Sequence, residues 1–331
     1  MKHLTLKPTL TFTRRAALLL AGGLLAFTAA AQDFPHKPVR LIVAYPPGGS
    51  IDILARTIVP KLSAELGQPV IIDNKAGGGG AVGADIVAHA PADGYTLGLA
   101  VPSMLTLPIV LGRKLSYEPA KDFTLVSIVA KNLLALVVTP GFPARSLKEL
   151  VEYARKNPGK LSYGSSGLGS SNHLIGEVLN QFAGISMTHV AYRGSSPQMS
   201  DLLGGQVPVG IVTTAAVLQQ VKAGKLRMLA VFDDKRYSEL PDVPTNYEAL
   251  PGYEPKMSWT GLVGPAGMPP AVTKRLHDAI VKVCADPEIR KTLNALGMPV
   301  VAGTPAEFAQ VVQGEIQFWS PIVRKGNIKA E

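Results

Sequence analysis

The sequence has almost no cysteine. Cys284 is the only one in 331 residues. That excludes an internal disulfide and, with no histidine pair at ligand spacing, leaves a structural zinc site unsupported. No Gly-Lys-Ser or Gly-Lys-Thr follows the glycine run Gly77–Gly80, so no nucleoside triphosphate is expected there. Basic residues do not cluster with aromatics, and nucleic acid is not an expected partner. The spacing Gly-x-Ser-x-Gly fails around Ser165 and Ser166, which argues against a nucleophile elbow. No metal, cofactor or catalytic residue is expected.

Acidic residues are missing from positions 1–31, where Lys2, Lys7, Arg14 and Arg15 precede the uncharged run Ala16–Ala31. The run ends in Ala29-Ala30-Ala31, the pattern of a cleaved bacterial export signal. It is short for a membrane span, which needs about 20 residues. The chain is therefore expected to start at Gln32 and to work in the periplasm. Thr13-Arg14-Arg15 leaves Sec and twin-arginine export both open. Without the four basic residues of that segment, 29 basic residues face 24 acidic ones, a net charge of +5. Such a charge suits an anionic small molecule, and a solvated surface equally well.

What is present describes a globular chain of about two domains, 47% hydrophobic and 17% charged. Leu41-Ile42-Val43-Ala44-Tyr45 reads as a strand that stops at Pro46-Pro47-Gly48-Gly49-Ser50. Ile51, Leu54, Ala55, Ile58 and Leu62 then recur at helical spacing. Pro60 is expected to kink that helix. The two glycines let backbone approach a ligand, Ser50 can cap the helix, and the helix N-terminus favours an anion. An ordinary strand-to-helix turn has the same pattern.

The device recurs. Pro69–Asp73 reads as a strand entering Gly77–Gly80, Ala81–Ala90 as a helix, and Tyr95–Val101 as a strand ending at Pro102-Ser103. Leu125–Thr139 reads as two strands crossing between domains near Asn132. Ser146 and Glu149 form a capping box before a helix. Leu161–Tyr163 is a strand opening into Gly164–Ser171, followed by helix Asn172–Phe182. Met187–Tyr192 ends in Arg193-Gly194-Ser195, and Val207–Val212 stops at Thr213-Thr214. After strand Leu226–Phe232 the chain is Pro-rich up to Pro270. Three helices then complete the first domain: 271–285, 287–296 and 305 to about 319.

The expected fold is α/β, with two domains of mainly parallel sheets flanked by helices and a ligand cleft between them. Residues 32–132 and 234–331 form domain 1, and residues 133–233 form domain 2. Ligands of such folds sit beyond the carboxyl ends of strands. The candidate ligand residues are therefore Gly48, Gly49, Ser50, Gly78, Gly79, Ser103, Ser165, Ser166, Ser170, Tyr192, Gly194 and Thr213. His173 either donates to a bound anion or caps its loop. Asp52 is a loop organiser, because a bare carboxylate would repel an anionic ligand. Trp259 and Cys284 read as core.

Taken together, Pro47-Gly48-Gly49-Ser50-Ile51-Asp52-Ile53-Leu54-Ala55-Arg56, Asn74-Lys75 with the glycine run, and Tyr163-Gly164-Ser165-Ser166-Gly167 form an ordered set. Gly169-Ser170, His173-Leu174, Tyr192-Arg193-Gly194, Leu202–Val207, Lys222–Arg227 and Asp242–Thr245 follow in the same order. This set resembles the Bug-type substrate-binding proteins, the extracytoplasmic receptors of tripartite tricarboxylate transporters. The resemblance implies a Venus flytrap closing on a small organic carboxylate, which it presents to membrane permease subunits, with the receptor itself a monomer. It places Gly48–Ser50 and Gly77–Gly80 on one jaw. On the other it places Ser165, Ser166, Ser170 and the Tyr192–Gly194 turn. Whether Arg193 touches ligand stays open.

Two departures stand out. Where the family often reads Gln-Val-Asp-Val-Met-Phe-Asp, this chain has Gln206-Val207-Pro208-Val209-Gly210-Ile211-Val212. After Ser103 it has Met104 and Leu107-Pro108 in place of more polar residues. Both remove polarity and point to an acid without an ammonium group and with an apolar body. A carboxylate sensor docking to a kinase, and an exported serine hydrolase, are the alternative functions.

Overall fold

The computed structural model describes residues 34–255 and 258–328. The expected export signal lies outside the described residues. Contacts divide the chain into a unit of residues 1–36 and a body of residues 37–331. Both sheets and all the helices named below belong to the body.

Its first part runs β1 (Val39–Val43), α1 (Ser50–Leu66), β2 (Val70–Asn74), α2 (Ala81–Ala88), β3 (Thr96–Ala100), α3 (Pro102–Leu105), α4 (Leu107–Val110) and β4 (Phe123–Asn132). The second part runs β5 (Leu134–Val138), α5 (Leu147–Lys156), β6 (Leu161–Ser165), α6 (Ser171–Ala183), β7 (Met187–Ala191), α7 (Ser195–Leu203), β8 (Val209–Thr213), α8 (Thr214–Lys222) and β9 (Arg227–Phe232). The chain ends with α9 (Asn246–Ala249), β10 (Ser258–Pro265), α10 (Pro270–Ala285), α11 (Pro287–Ala295) and α12 (Pro305–Gly326).

Helix α1 shows how pattern becomes packing. Leu54, Ala55, Ile58 and Leu62 are at most 1% exposed, and each large side chain buried this way contributes about 1.5–3 kcal/mol. Pro60 lies on the exposed side and the helix continues through it. Gly67 closes the helix in the left-handed conformation, φ +72°.

Two five-stranded sheets result, ordered β2-β1-β3-β10-β4 and β7-β6-β8-β5-β9. Each is mixed. The pairs β1–β2, β1–β3, β6–β7 and β6–β8 are parallel, as helical crossovers require. The pairs of β10 with β3 and β4, and of β5 with β8 and β9, are antiparallel. The antiparallel members are the strands on either side of the two crossings. Only β5 and β10, each the first strand after a crossing, run against the rest of their sheets, and β4 passes to β5 through the single residue Leu133.

Two elements depart from the sequence reading. Strand β10 occupies a segment read only as Pro-rich, yet all eight of its residues are buried between β3 and β4. The last helix runs seven residues beyond Trp319 and does not stay with the first sheet. Its Phe308 packs edge-on against Trp259 at 5.1 Å. Its Trp319 and Val323 join the core of the second sheet with Leu107 and Tyr253.

Candidate functional site

The carboxyl ends of the central strands of both sheets face one cleft. It is lined by Tyr45, Gly49, Ser50, Ile51, Val101, Pro102, Ser103, Asn132, Ser166, Ser170, Ser171, Asn172, Ser195, Thr213 and Ser258. None of these carries a formal charge. Besides the four-residue α3, four helices begin on lining residues: α1 at Ser50, α6 at Ser171 behind its cap Ser170, α7 at Ser195, and α8 behind its cap Thr213. Each presents unpaired N–H groups and the positive end of its dipole. Among the described residues, two buried polar atoms on the cleft, Asn132 Oδ1 and Thr213 Oγ1, have no hydrogen-bond partner. A buried polar atom of this kind is costly unless a ligand or water completes it.

Asp52 organises the first jaw. Its Oδ2 accepts from the Gly48 amide at 2.9 Å and from Arg56 Nε at 2.7 Å, and its Oδ1 accepts from Asn74 Nδ2 at 3.0 Å. Burial opposes ionisation, but these donors outweigh it and hold the carboxyl below its ordinary range. Gly48, φ +77°, thus spends its amide on Asp52 and does not line the cleft. Ser103 is half committed as well. Its hydroxyl donates to Gly79 O at 2.8 Å and lies 2.7 Å from Tyr45 Oη, which itself reaches Gly79 O at 3.0 Å. The three groups tie the glycine loop to the cleft wall.

The second jaw divides into two faces. Ser166, Ser170 and Thr213 face the cleft. Ser170 caps α6 by accepting from the His173 amide, and Ser166 donates to Asn172 Oδ1 at 3.2 Å. Ser165 points the other way, fully buried, and pairs with His189 Nε2 at 2.6 Å. His173 stacks on His189 at 4.0 Å, and its Nδ1 accepts from the Gly169 amide. Burial, reinforced by His189, pushes His173 down to about 3, and burial pushes His189 down to about 4, so both rings are neutral. His173 thus caps its loop and lines neither the cleft nor the neighbouring rim cavity. The Ser165–His189 pair, which resembles a hydrolase dyad, lines neither the cleft nor the neighbouring rim cavity.

Gly78, Gly79 and Tyr192 line a neighbouring cavity at the rim, to which Tyr45 and Ser166 also belong. Gly194, φ +118°, lies at the meeting of the jaws, where a Cβ would come 2.8 Å from Pro46 Cδ. Ser196 donates to Pro47 O at 3.2 Å, so the cleft is closed. Of the candidates, Gly49, Ser50, Ser103, Ser166, Ser170 and Thr213 converge on it. Gly48, Ser165, His173 and Gly194 support it from outside. Sequence reasoning missed Tyr45 and Asn132 as lining residues. Both stand at the carboxyl end of a strand, β1 and β4, and that position was the available signal.

The profile of the tripartite tricarboxylate transporter family receptor matches residues 54–328. The chain belongs to this family. A UPF0065 protein from the tcbD-tcbE intergenic region of Pseudomonas sp. strain P51 is 37% identical over 320 residues, covering 94% of this chain and 95% of the relative. Protein BugT of Bordetella pertussis is 33% identical over 315 residues, covering 94% and 96%. Among solved structures, a Rhodopseudomonas palustris protein with adipate is 36% identical with a TM-score of 0.86, covering 90% of this chain and 99% of that one. MatC from Rhodopseudomonas palustris, with bound malate, is 31% identical with a TM-score of 0.83, covering 88% and 100%. The fold is thus that of the two-domain periplasmic binding proteins, as in the periplasmic binding protein BugD, which is 31% identical with a TM-score of 0.85, covering 90% of this chain and 100% of that one.

Proposed function

We propose that this chain is a periplasmic receptor that closes on a small carboxylate lacking an ammonium group and delivers it to permease subunits of a tripartite tricarboxylate-type transporter. The observation that carries this reading is a cleft without a charged side chain onto which four helix N-termini converge. Such a site stabilises an anion through N–H groups and hydroxyls. It has no carboxylate to pair with an ammonium, while Ile51, Val101 and Pro102 offer an apolar wall. The adipate and malate held by the two solved relatives support the carboxylate assignment.

The space open to the centre of a water molecule is about 40 Å³, room for about three waters. That fits a short-chain acid better than a bulky one. On this reading residues 1–31 are removed on export. Residues 32–132 with 234–331 and residues 133–233 are the domains, and both crossings act as the hinge. The receptor works as a monomer and carries out no catalysis. A thermal-shift screen of the chain from Gln32 against mono-, di- and tricarboxylates and amino acids tests it. A ligand at ~100 times its Kd adds about 2.7 kcal/mol, a shift of a few degrees. A shift confined to amino acids, or seen with no acid in the panel, counts against the proposal.

A further inference from the structure

The rim cavity differs from the inner cleft in charge. It offers about 280 Å³ and is lined by Tyr45, Gly79 and Arg113 from one jaw and by Ser166, Tyr192 and Arg193 from the other. Tyr45 and Ser166 also line the inner cleft, so the phenol stands between the two spaces. Among the described residues neither guanidinium has an ion pair or a hydrogen bond. Three acids of the two jaws hold other partners. Asp52 holds Gly48, Asn74 and Arg56, and Asp201 accepts from Tyr192 Oη at 2.8 Å. Asp85 pairs with Ser116 and His89.

The jaws therefore set half-buried Arg113 and exposed Arg193 on the wall of one cavity, like charges that repel unless an anion joins them. A Cβ on Gly79, φ +69°, would come 3.2 Å from Leu168 O and 3.9 Å from Arg113 Nη1. The glycine loop thus packs as bare backbone against the opposite jaw. Arg113 also opposes the upward push of burial on the Tyr45 phenol, so its field reaches the partition.

We propose that the rim cavity is a second anion site, in which a carboxylate or other small oxyanion bridges Arg113 and Arg193 and holds the jaws shut. Guanidinium forks suit such groups through paired, charge-assisted hydrogen bonds. The proposal rests on the receptor reading for the opening and closing of the jaws. The anion has two possible sources: the far carboxylate of a diacid whose other end fills the inner cleft, or a separate ion.

The test begins without any acid. The melting point of the chain from Gln32 is followed against sulfate at constant ionic strength, for the parent, Arg113→Gln, Arg193→Gln, the double variant, and Lys114→Gln as an exposed neighbouring control. A saturable rise of about 2–4 °C, kept by Lys114→Gln and lost in the double variant, is expected. No rise in the parent, or an equal rise in the double variant, overturns the site. Calorimetry with adipate and hexanoate then separates the sources. If adipate's advantage over hexanoate, tenfold or more, disappears in the double variant, the anion is the ligand's own second carboxylate. If the double variant leaves that ratio unchanged while losing the sulfate response, the anion is a separate ion. Binding of neither acid would count against the receptor reading, and the sulfate series would still decide the rim site.

Discussion

The loop Gly164–Ser171 has a front and a back built from the same residue types. In front, Ser166 and Ser170 face the cleft, joined there by Thr213, whose buried hydroxyl has no partner. Behind, Ser165 is fully buried yet satisfied by His189, which stacks on His173. Ser170 and Thr213 are buried much as Ser165 is, while Ser166 is half-buried. What differs is Thr213: Ser166 and Ser170 donate to Asn172 Oδ1 and Gly167 O, as Ser165 pairs with His189, whereas the Thr213 hydroxyl has no partner among the described residues. A completed polar layer rigidifies the loop, and an uncompleted one waits for a guest. Front variants are therefore expected to change binding with little change in stability, and back variants the reverse.

The largest effect is expected where the jaws meet. Gly194→Ala places a Cβ 2.8 Å from Pro46 Cδ at φ +118°, so closure is blocked. Affinity for the acid found in the screen should fall at least about tenfold, equivalent to 1.4 kcal/mol, and small-angle scattering with ligand should report a wider molecule than the parent. Next, Ser165→Ala leaves His189 Nε2 without its partner. It should cost about 1–3 kcal/mol in urea unfolding, with ligand affinity within twofold of the parent. If Ser165→Ala abolishes binding at full stability, front and back have been assigned the wrong way round.

Thr213→Val sharpens the contrast from the other side. The swap keeps the shape and removes a buried hydroxyl that nothing completes. Stability should stay within about 0.5 kcal/mol or rise, because no hydrogen bond is lost, while calorimetry should find affinity weakened several-fold.

The same reasoning extends to two buried carboxyls. Asp52 is held ionised by Arg56, Gly48 and Asn74, so its contribution is present above its ordinary pKa of 3.8 and is lost only as pH falls through its lower folded value. Glu315 accepts from the neutral donors Thr106 and Trp259, and burial pushes it up to about 7 from an ordinary 4.5. Between those values the folded chain holds a proton that the unfolded chain has released. Stability should therefore fall by roughly 2–3 kcal/mol as pH rises through that window. Glu315→Gln should remove this fall, as urea unfolding at pH 5 and pH 8 would show.

Much of the scaffold could be read from the chain because its periodicities are local. The stripe Ile51-Leu54-Ala55-Ile58-Leu62 is fully consistent with the buried face of α1, and the Leu125–Thr139 run does split at a crossing, at Leu133. Strand β10 was illegible because Gly261, Gly264 and Pro265 break its pattern. Its glycines are there for packing partners far away in sequence: a Cβ on Gly261 would sit 2.2 Å from the Phe308 ring. Which serine of a serine-rich loop faces the cleft was equally hidden. That depends on the parity of β6 and on His189, which comes 24 residues after Ser165. Tyr45 was passed over because an aromatic ending an apolar run reads as core, whereas its hydroxyl is tied to Ser103 and Gly79 at the cleft wall.

One titration bears most directly on a charge-free cleft that takes an acid without an amine. Calorimetry of the chain from Gln32 would compare matched pairs: succinate with aspartate, glutarate with glutamate, and adipate with 2-aminoadipate. The plain acid should win in every pair that binds, by at least about tenfold, because no carboxylate lines the cleft to receive an ammonium. An amino acid that binds as tightly as its partner, or more tightly, would contradict the charge-free reading of the site.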